Sequence, residues 1–157
     1  AVTSDTSDGK ITVSGLADRP GVAATLFRRL ADRGVNVDMI VQNMSVAGLA
    51  DISFTVPTEH FELSLQVVRD ALGDLGAAEV SGDAEMAKVS IVGSGMKTDP
   101  GVAARMFETL ARAGINIEMI STSEIRITAM IAAGSESRRM SSSAPPNSSW
   151  VSFNMRP

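Results

Sequence analysis

An internal repeat constrains this chain more than any other feature. The stretch Asp18-Arg19-Pro20-Gly21-Val22-Ala23-Ala24 returns eighty residues later as Thr98-Asp99-Pro100-Gly101-Val102-Ala103-Ala104. Each copy continues through an amphipathic run to a matching exit, Gly34-Val35-Asn36-Val37-Asp38-Met39-Ile40 in one and Gly114-Ile115-Asn116-Ile117-Glu118-Met119-Ile120 in the other. Residues 20–40 and 100–120 are identical at twelve of twenty-one aligned positions, which is duplication rather than a shared pattern. A chain of 157 residues therefore reads as two small modules, not one large domain.

The periodicities give each module its order of elements. Residues 1–9 are polar and predict a frayed arm or one short strand. Residues 10–14 alternate as a strand does, and 15–19 read as a loop. Pro20 and Pro100 suit a first helical position, with Asp99 as an N-cap. Val22, Leu26, Phe27 and Leu30 then share one helical face, and Gly34, like Gly114, stops the helix. Strands follow over 35–43 and 49–56, joined by a hairpin at Ser45-Val46-Ala47-Gly48, then a helix over 59–75 and a short strand over 77–82. The order β-α-β-β-α-β is that of the ferredoxin-like fold, a four-stranded antiparallel sheet with two helices on one face.

The second module starts alike, with strand 88–93, helix 100–113 and strands 115–121 and 124–131. After Ala133 the composition turns to Ser, Pro, Gly and Asn, which cannot bury a core. The reading is thus α+β: two tandem ferredoxin-like units, the second incomplete at its C-terminus. It divides into a polar arm 1–9, modules 10–84 and 85–133, and a disordered tail 134–157. The missing helix predicts an uncovered side on the second sheet, although Trp150-Val151-Ser152-Phe153 alternates and can pair as an edge strand.

Charge and rare residues exclude several functions. A net charge of −4 argues against an electrostatic grip on nucleic acid or anionic membrane. With no cysteine and the single histidine His60, disulfides, thiolate nucleophiles and Cys/His zinc sites are ruled out. No apolar run reaches the ~18 residues of a membrane span, and the start has no signal-peptide pattern, so the expectation is a soluble, cytoplasmic protein. His60 stands beside Glu59 without a nucleophile or base to work with, and Gly93-Ser94-Gly95-Met96-Lys97 lacks phosphate-loop spacing. Met39, Met106, Met119 and Met130 read as core filler, and Arg28, Arg29 and Arg33 as a solvated helix face. No catalytic constellation emerges, and no metal ligand set.

The repeated Pro-Gly junction carries the functional reading. A glycine without Cβ lets a ligand approach the backbone, and the free N–H groups of a first helical turn favour a carboxylate. Asn36, Asp38 and Gln42 follow on one strand face, where they can meet an ammonium or a side chain; Asn116, Glu118, Thr122, Ser123 and Glu124 stand in the corresponding region. The plainer alternative is that Pro-Gly starts a helix and the asparagines fill turns.

Residues 10–24, 37–43, 88–97 and above all Ile120-Ser121-Thr122-Ser123-Glu124-Ile125-Arg126-Ile127 closely resemble the regulatory region of bacterial aspartokinases, notably the actinobacterial kind. The match covers about 10–131. That resemblance implies tandem ACT domains, of the sort also made as a separate smaller β subunit without the kinase domain. It further implies threonine and/or lysine bound at interfaces between ACT domains of a homodimer, inhibiting aspartate phosphorylation by a catalytic subunit. ATP and magnesium belong to that subunit, and this chain needs no cofactor. The effector positions carried over are Asp18, Gly21, Ala23 and Gln42 in the first domain. In the second they are Met96, Asp99, Val102, Asn116, Ile117, Glu118, Ser123 and Glu124. Asp18 aligns with Thr98 and Arg19 with Asp99, so the two pockets differ chemically.

The turn to Ser/Pro sequence departs from the family, whose members continue with a helix and a closing strand. An ACT-type sensor serving another enzyme is the first rival. A ferredoxin-like RNA binder is the second, and it lacks stacking aromatics: there is no Tyr, and Phe54 is nearly alone on the strands.

Overall fold

The computed structural model describes residues 2–44, 47–93, 98–132 and 153–155. Its elements are β1 (Val2–Ala17), α1 (Val22–Asp32), β2 (Ile40–Met44), β3 (Leu49–Pro57), a 3-10 turn (Thr58–His60), α2 (Phe61–Leu75), β4 (Glu79–Val92), α3 (Val102–Arg112), β5 (Ile117–Thr122), β6 (Arg126–Ala132) and β7 (Phe153–Met155). Chain contacts divide it into Ser7–Ala84 and a second unit made of the described residues of Ala1–Thr6 and Glu85–Pro157.

In the first unit the strand order is β2-β3-β1-β4, which with two helices on one face is the ferredoxin-like arrangement. Alternation in β3 points Ala50, Ile52, Phe54 and Val56 inward. They pack with Ile11 and Val13 of β1, Leu26 and Leu30 of α1, and Leu65, Val68 and Leu75 of α2. Phe27 meets Phe54 edge to face, with centroids 5.5 Å apart. Phe61 opens α2 against two glycines: a Cβ on Gly9 would collide with its ring, and one on Gly82 would lie 2.7 Å from its Cζ.

Both repeated helices end alike. Gly34 (φ 74) and Gly114 (φ 68) take the left-handed conformation. Val35 N–H donates to the Leu30 carbonyl at 3.0 Å and Ile115 N–H to that of Leu110 at 2.9 Å, the six-to-one bond of a Schellman stop.

The second unit repeats the scheme as β4-β6-β5 with α3 on the sheet. Ala87, Val89 and Ile91 of β4 and Ile127, Ala129 and Ile131 of β6 pack with Met106 and Leu110 of α3. The far faces are duplicated too. Thr12 and Ser53 share a hydroxyl hydrogen bond of 2.9 Å, and the aligned Ser90 and Thr128 one of 2.8 Å.

Several expected boundaries move. The polar arm is instead the start of β1, because its backbone pairs from Val2 onward; Val2, Thr3 and Ser4 lie parallel to Phe153, Asn154 and Met155. That pairing places a strand inside the stretch expected to be disordered, while Trp150 and residues 133–152 lie outside the described residues. The expected loop 15–19 is largely strand: β1 continues to Ala17 through an irregularity between Val13 and Leu16, with Gly15 at φ 68 and its N–H on the Asp51 carboxylate at 2.9 Å.

Pro20 and Pro100 precede the helices rather than opening them. Gly21 and Gly101 occupy the N-caps, and Gly21 at φ 94 cannot be helical. The regular ladder of β2 begins at Ile40, not Val35, because Asp38 and Met39 both bond Thr55: Asp38 N–H donates to its carbonyl, Met39 accepts from its N–H, and Met39 N–H turns to its hydroxyl, each at 3.0 Å. The short strand 77–82 and the strand 88–93 are one, β4.

On the face that carries α3, Ala87, Ala129 and Ile131 are fully buried in one cluster with Met106 and Leu110. The four methionines read as filler are buried, as expected. Arg29 is more than a solvated charge, since it pairs with Asp74 near the end of α2.

Candidate functional site

The first Pro-Gly junction lies where β1 hands over to α1. Around it opens a cavity of about 190 Å3 lined by Leu16, Ala17, Asp18, Arg19, Gly21, Ala23, Gln42, Ala50 and Ile52, among others. All four sequence-derived positions of the first domain, Asp18, Gly21, Ala23 and Gln42, are therefore brought together around one space. Register explains how Gln42 arrives there. Ile40, Gln42 and Met44 stand opposite Phe54, Ile52 and Ala50, so they share the face that carries the helices.

The floor of the cavity is apolar and its rim polar. Gly21 has nothing within 4 Å of where a Cβ would stand, so its backbone is open to approach. Val22, Ala23 and Ala24 follow as the first turn of α1; Val22 N–H turns to the Arg19 carbonyl at 3.4 Å, and the N–H groups of Ala23 and Ala24 have no intrahelical acceptor. Thr25 keeps clear of that opening because its hydroxyl donates to the Gly21 carbonyl at 3.0 Å. Arg19 Nη2 reaches the backbone carbonyl of Asp74 at 3.4 Å, at the negative end of α2. The arrangement offers amide donors and dipole to an anion, with Asp18 and Gln42 on the rim for a cationic or polar group.

The second junction differs in detail. Gly101 takes φ −86, in the right-handed region. Its N–H donates to Asp99 Oδ1 at 2.9 Å, and Arg105 Nη2 holds Asp99 Oδ2 at 2.6 Å. Arg105's hydrogen bond first, and the Gly101 N–H second, hold the Asp99 carboxyl below its ordinary value. Asp99 thus caps the junction from two residues before Gly101, rather than as the N-cap itself. Val102 opens α3, and Asn116 Nδ2 approaches Glu118 Oε1 at 3.4 Å just before and within β5. Ile117 is half-buried, while Ser123 and Glu124 lie exposed in the β5–β6 turn, where Ser123 N–H donates to the Arg126 carbonyl at 2.7 Å. Met96 lies outside the described residues.

Three participants escape a reading of spacing. Arg105 answers to Thr25 in the repeat, and only the fold shows that it bends back to Asp99; the threonine-to-arginine exchange is one of several differences between the two helices and carries no signal of its own. Ala50 and Ile52 line the first cavity through alternation in β3, a pattern visible in the sequence but not tied there to the junction. Among the described residues no group of three or more His, Cys, Asp or Glu stands ready to hold a metal. No helix among them is long and apolar enough to cross a membrane.

A tandem pair of ferredoxin-like modules is the class this fold defines, and the family model described as the ACT domain matches residues 11–72 and 89–138. The regulatory subunit of aspartate kinase from Thermus thermophilus, solved in a ligand-free form, is 37% identical with a TM-score of 0.81, over 92% of this chain and 97% of that one. A structure of aspartokinase alpha and beta subunits gives 43% identity and a TM-score of 0.78, covering 84% of this chain and 86% of that one. The aspartokinase of Corynebacterium glutamicum is 43% identical over 132 residues, 83% of this chain but 31% of that protein. The chain belongs to the ACT-domain family and, within it, to the regulatory ACT regions of aspartokinases. It spans about a third of the length of the curated aspartokinases it matches.

Proposed function

We propose that this chain is the effector-sensing part of an aspartokinase, binding threonine and/or lysine and thereby inhibiting phosphorylation of aspartate by a catalytic subunit. The observation that carries this reading is the cavity at Gly21. It gathers Asp18, Gly21, Ala23 and Gln42 around about 190 Å3, below the ~300 Å3 at which drug-sized pockets begin and therefore suited to a free amino acid. The α-carboxylate faces the first turn of α1. The ammonium and side chain face Asp18 and Gln42.

The rim also supports pairing of ACT modules between two chains. Ile40 (51% exposed) and Met44 (56% exposed) flank Gln42 on the same face of the outer strand β2. A second module seated there would cover both and close the cavity on its open side. Inhibition then follows if the ligand binds the inhibited assembly more tightly than the active one.

The test is reconstitution. The purified chain, mixed with an aspartokinase catalytic subunit, is expected to confer inhibition by threonine, by lysine or by both together on aspartate phosphorylation. A complex whose activity ignores both amino acids would overturn the reading.

A further inference from the structure

The repeat contains its own control, since one junction is open and its copy is filled. We infer that Asp99 is a built-in carboxylate ligand of the second helix N-terminus, clamped by Arg105, so that the chain admits a free α-carboxylate at Gly21 in preference to Gly101. This rests on the first junction being an amino-acid site, and it assigns Asp99 and Arg105 as the residues that make the two junctions unequal.

Three independent observations agree. The Gly101 N–H, which an incoming carboxylate would need, already donates to Asp99 Oδ1 at 2.9 Å. The Arg105 guanidinium occupies the approach: a Cβ built on Gly101 would stand 2.6 Å from Arg105 Nη1, whereas one on Gly21 would meet nothing within 4 Å. The aligned residues of the first junction do neither job. Arg19 replaces Asp99, supplies no competing anion, and reaches away to the Asp74 carbonyl. Thr25 replaces Arg105 and folds its hydroxyl back on the Gly21 carbonyl.

The chemistry of displacement follows. An arriving carboxylate must break a charge-assisted bond to Arg105 and a second bond to Gly101, both made by a group tethered two residues away at high effective concentration. Arg105 also offsets the charge of Asp99, which weakens its pull on an ammonium. Side chains of Asp99 and Arg105 are 40% and 52% exposed, so water screens the clamp and the expected discrimination is modest, about tenfold.

The experiment is an amide-resolved NMR titration of the 15N-labelled full chain with L-threonine and, separately, with sodium acetate as a bare carboxylate. In the wild type, the amides of Gly21, Val22 and Ala23 should shift saturably at concentrations that leave Gly101, Val102 and Ala103 in place. Asp99→Ala should make the second set respond, with about a tenfold gain in apparent affinity, and Arg105→Ala should give a smaller gain. Asp99→Asn, which keeps an acceptor for Gly101 but loses the charge, decides the matter if the alanine variant does not fold. A wild-type response at Gly101 as tight as that at Gly21, or silence at Gly101 in the Asp99 variants, overturns the inference. Silence of Gly21 toward threonine refutes the amino-acid site instead, and the acetate response of Gly101 in Asp99→Ala still decides this proposal.

Discussion

Gly21 and Gly101 hold the same place in the two repeats and take opposite backbone hands, φ 94 against φ −86. The residues before each glycine account for the difference. Where Asp99 is present it binds the Gly101 N–H and sets a right-handed entry to α3; where Arg19 stands instead, the chain enters α1 through a left-handed glycine.

Alanine should therefore act unequally at the two positions. Gly21→Ala forces an L side chain into positive φ and is expected to cost about 1–2 kcal/mol. Gly101→Ala meets two exposed side-chain ends, Arg105 Nη1 at 2.6 Å and Asp99 Oδ1 at 3.3 Å, which can give way, and the restriction it places on the unfolded chain offsets that, leaving a change within about 1 kcal/mol. Urea denaturation of the two variants checks the order, and equal losses would contradict it.

Gln42 is exposed on β2 and lines the cavity, so Gln42→Ala should leave stability unchanged and weaken effector binding. Loss of one hydrogen bond of about 0.5–1.5 kcal/mol corresponds to a threefold to tenfold rise in Kd. Calorimetry beside a thermal melt separates the two effects.

Phe61 against Gly9 and Gly82 predicts a coupled pair. Gly9→Ala puts a methyl into the ring and is expected to destabilise by about 1–3 kcal/mol. Phe61→Leu is costly alone because Phe61 is 6% exposed in the core, but in its presence Gly9→Ala should cost clearly less. A double-mutant cycle with no coupling would place the strain elsewhere.

Asp99 gives a pH dependence with a fixed sign. Arg105 and then Gly101 hold its carboxyl below the ordinary value of 3.8, so the folded group releases its proton more easily than the unfolded one. The clamp therefore adds stability above pH 3.8 and loses it as pH falls through the lowered folded value. The Gly101 amide resonance should titrate with a midpoint below 3.8, and Arg105→Ala should raise that midpoint toward 3.8. A wild-type midpoint at or above the ordinary value would contradict the clamp.

Much of this architecture was legible because duplication shows twice what a single pattern shows once. Leu26 and Leu30, then Met106 and Leu110, mark the buried helix faces, and Gly34 and Gly114 mark the stops. The gathering of Asp18, Gly21, Ala23 and Gln42 was also readable, through the family resemblance rather than through spacing. What escaped depended on long-range partners. Whether β2 begins at Val35 or Ile40 is decided by Thr55, sixteen residues from Met39. The length of β1 depends on pairing with Phe153, Asn154 and Met155 at the far end of the chain. The conformations of two identical Pro-Gly pairs are set by Asp99 and Arg105 on one side and by Arg19 and Thr25 on the other.

The central claim is that the cavity at Gly21 holds a free amino acid, and isothermal titration of the purified chain with L-threonine and with L-lysine, run beside sedimentation, tests it most directly. The account predicts saturable binding of at least one of them to a dimer, weakened by Gln42→Ala. A well-folded dimer that binds neither would contradict it.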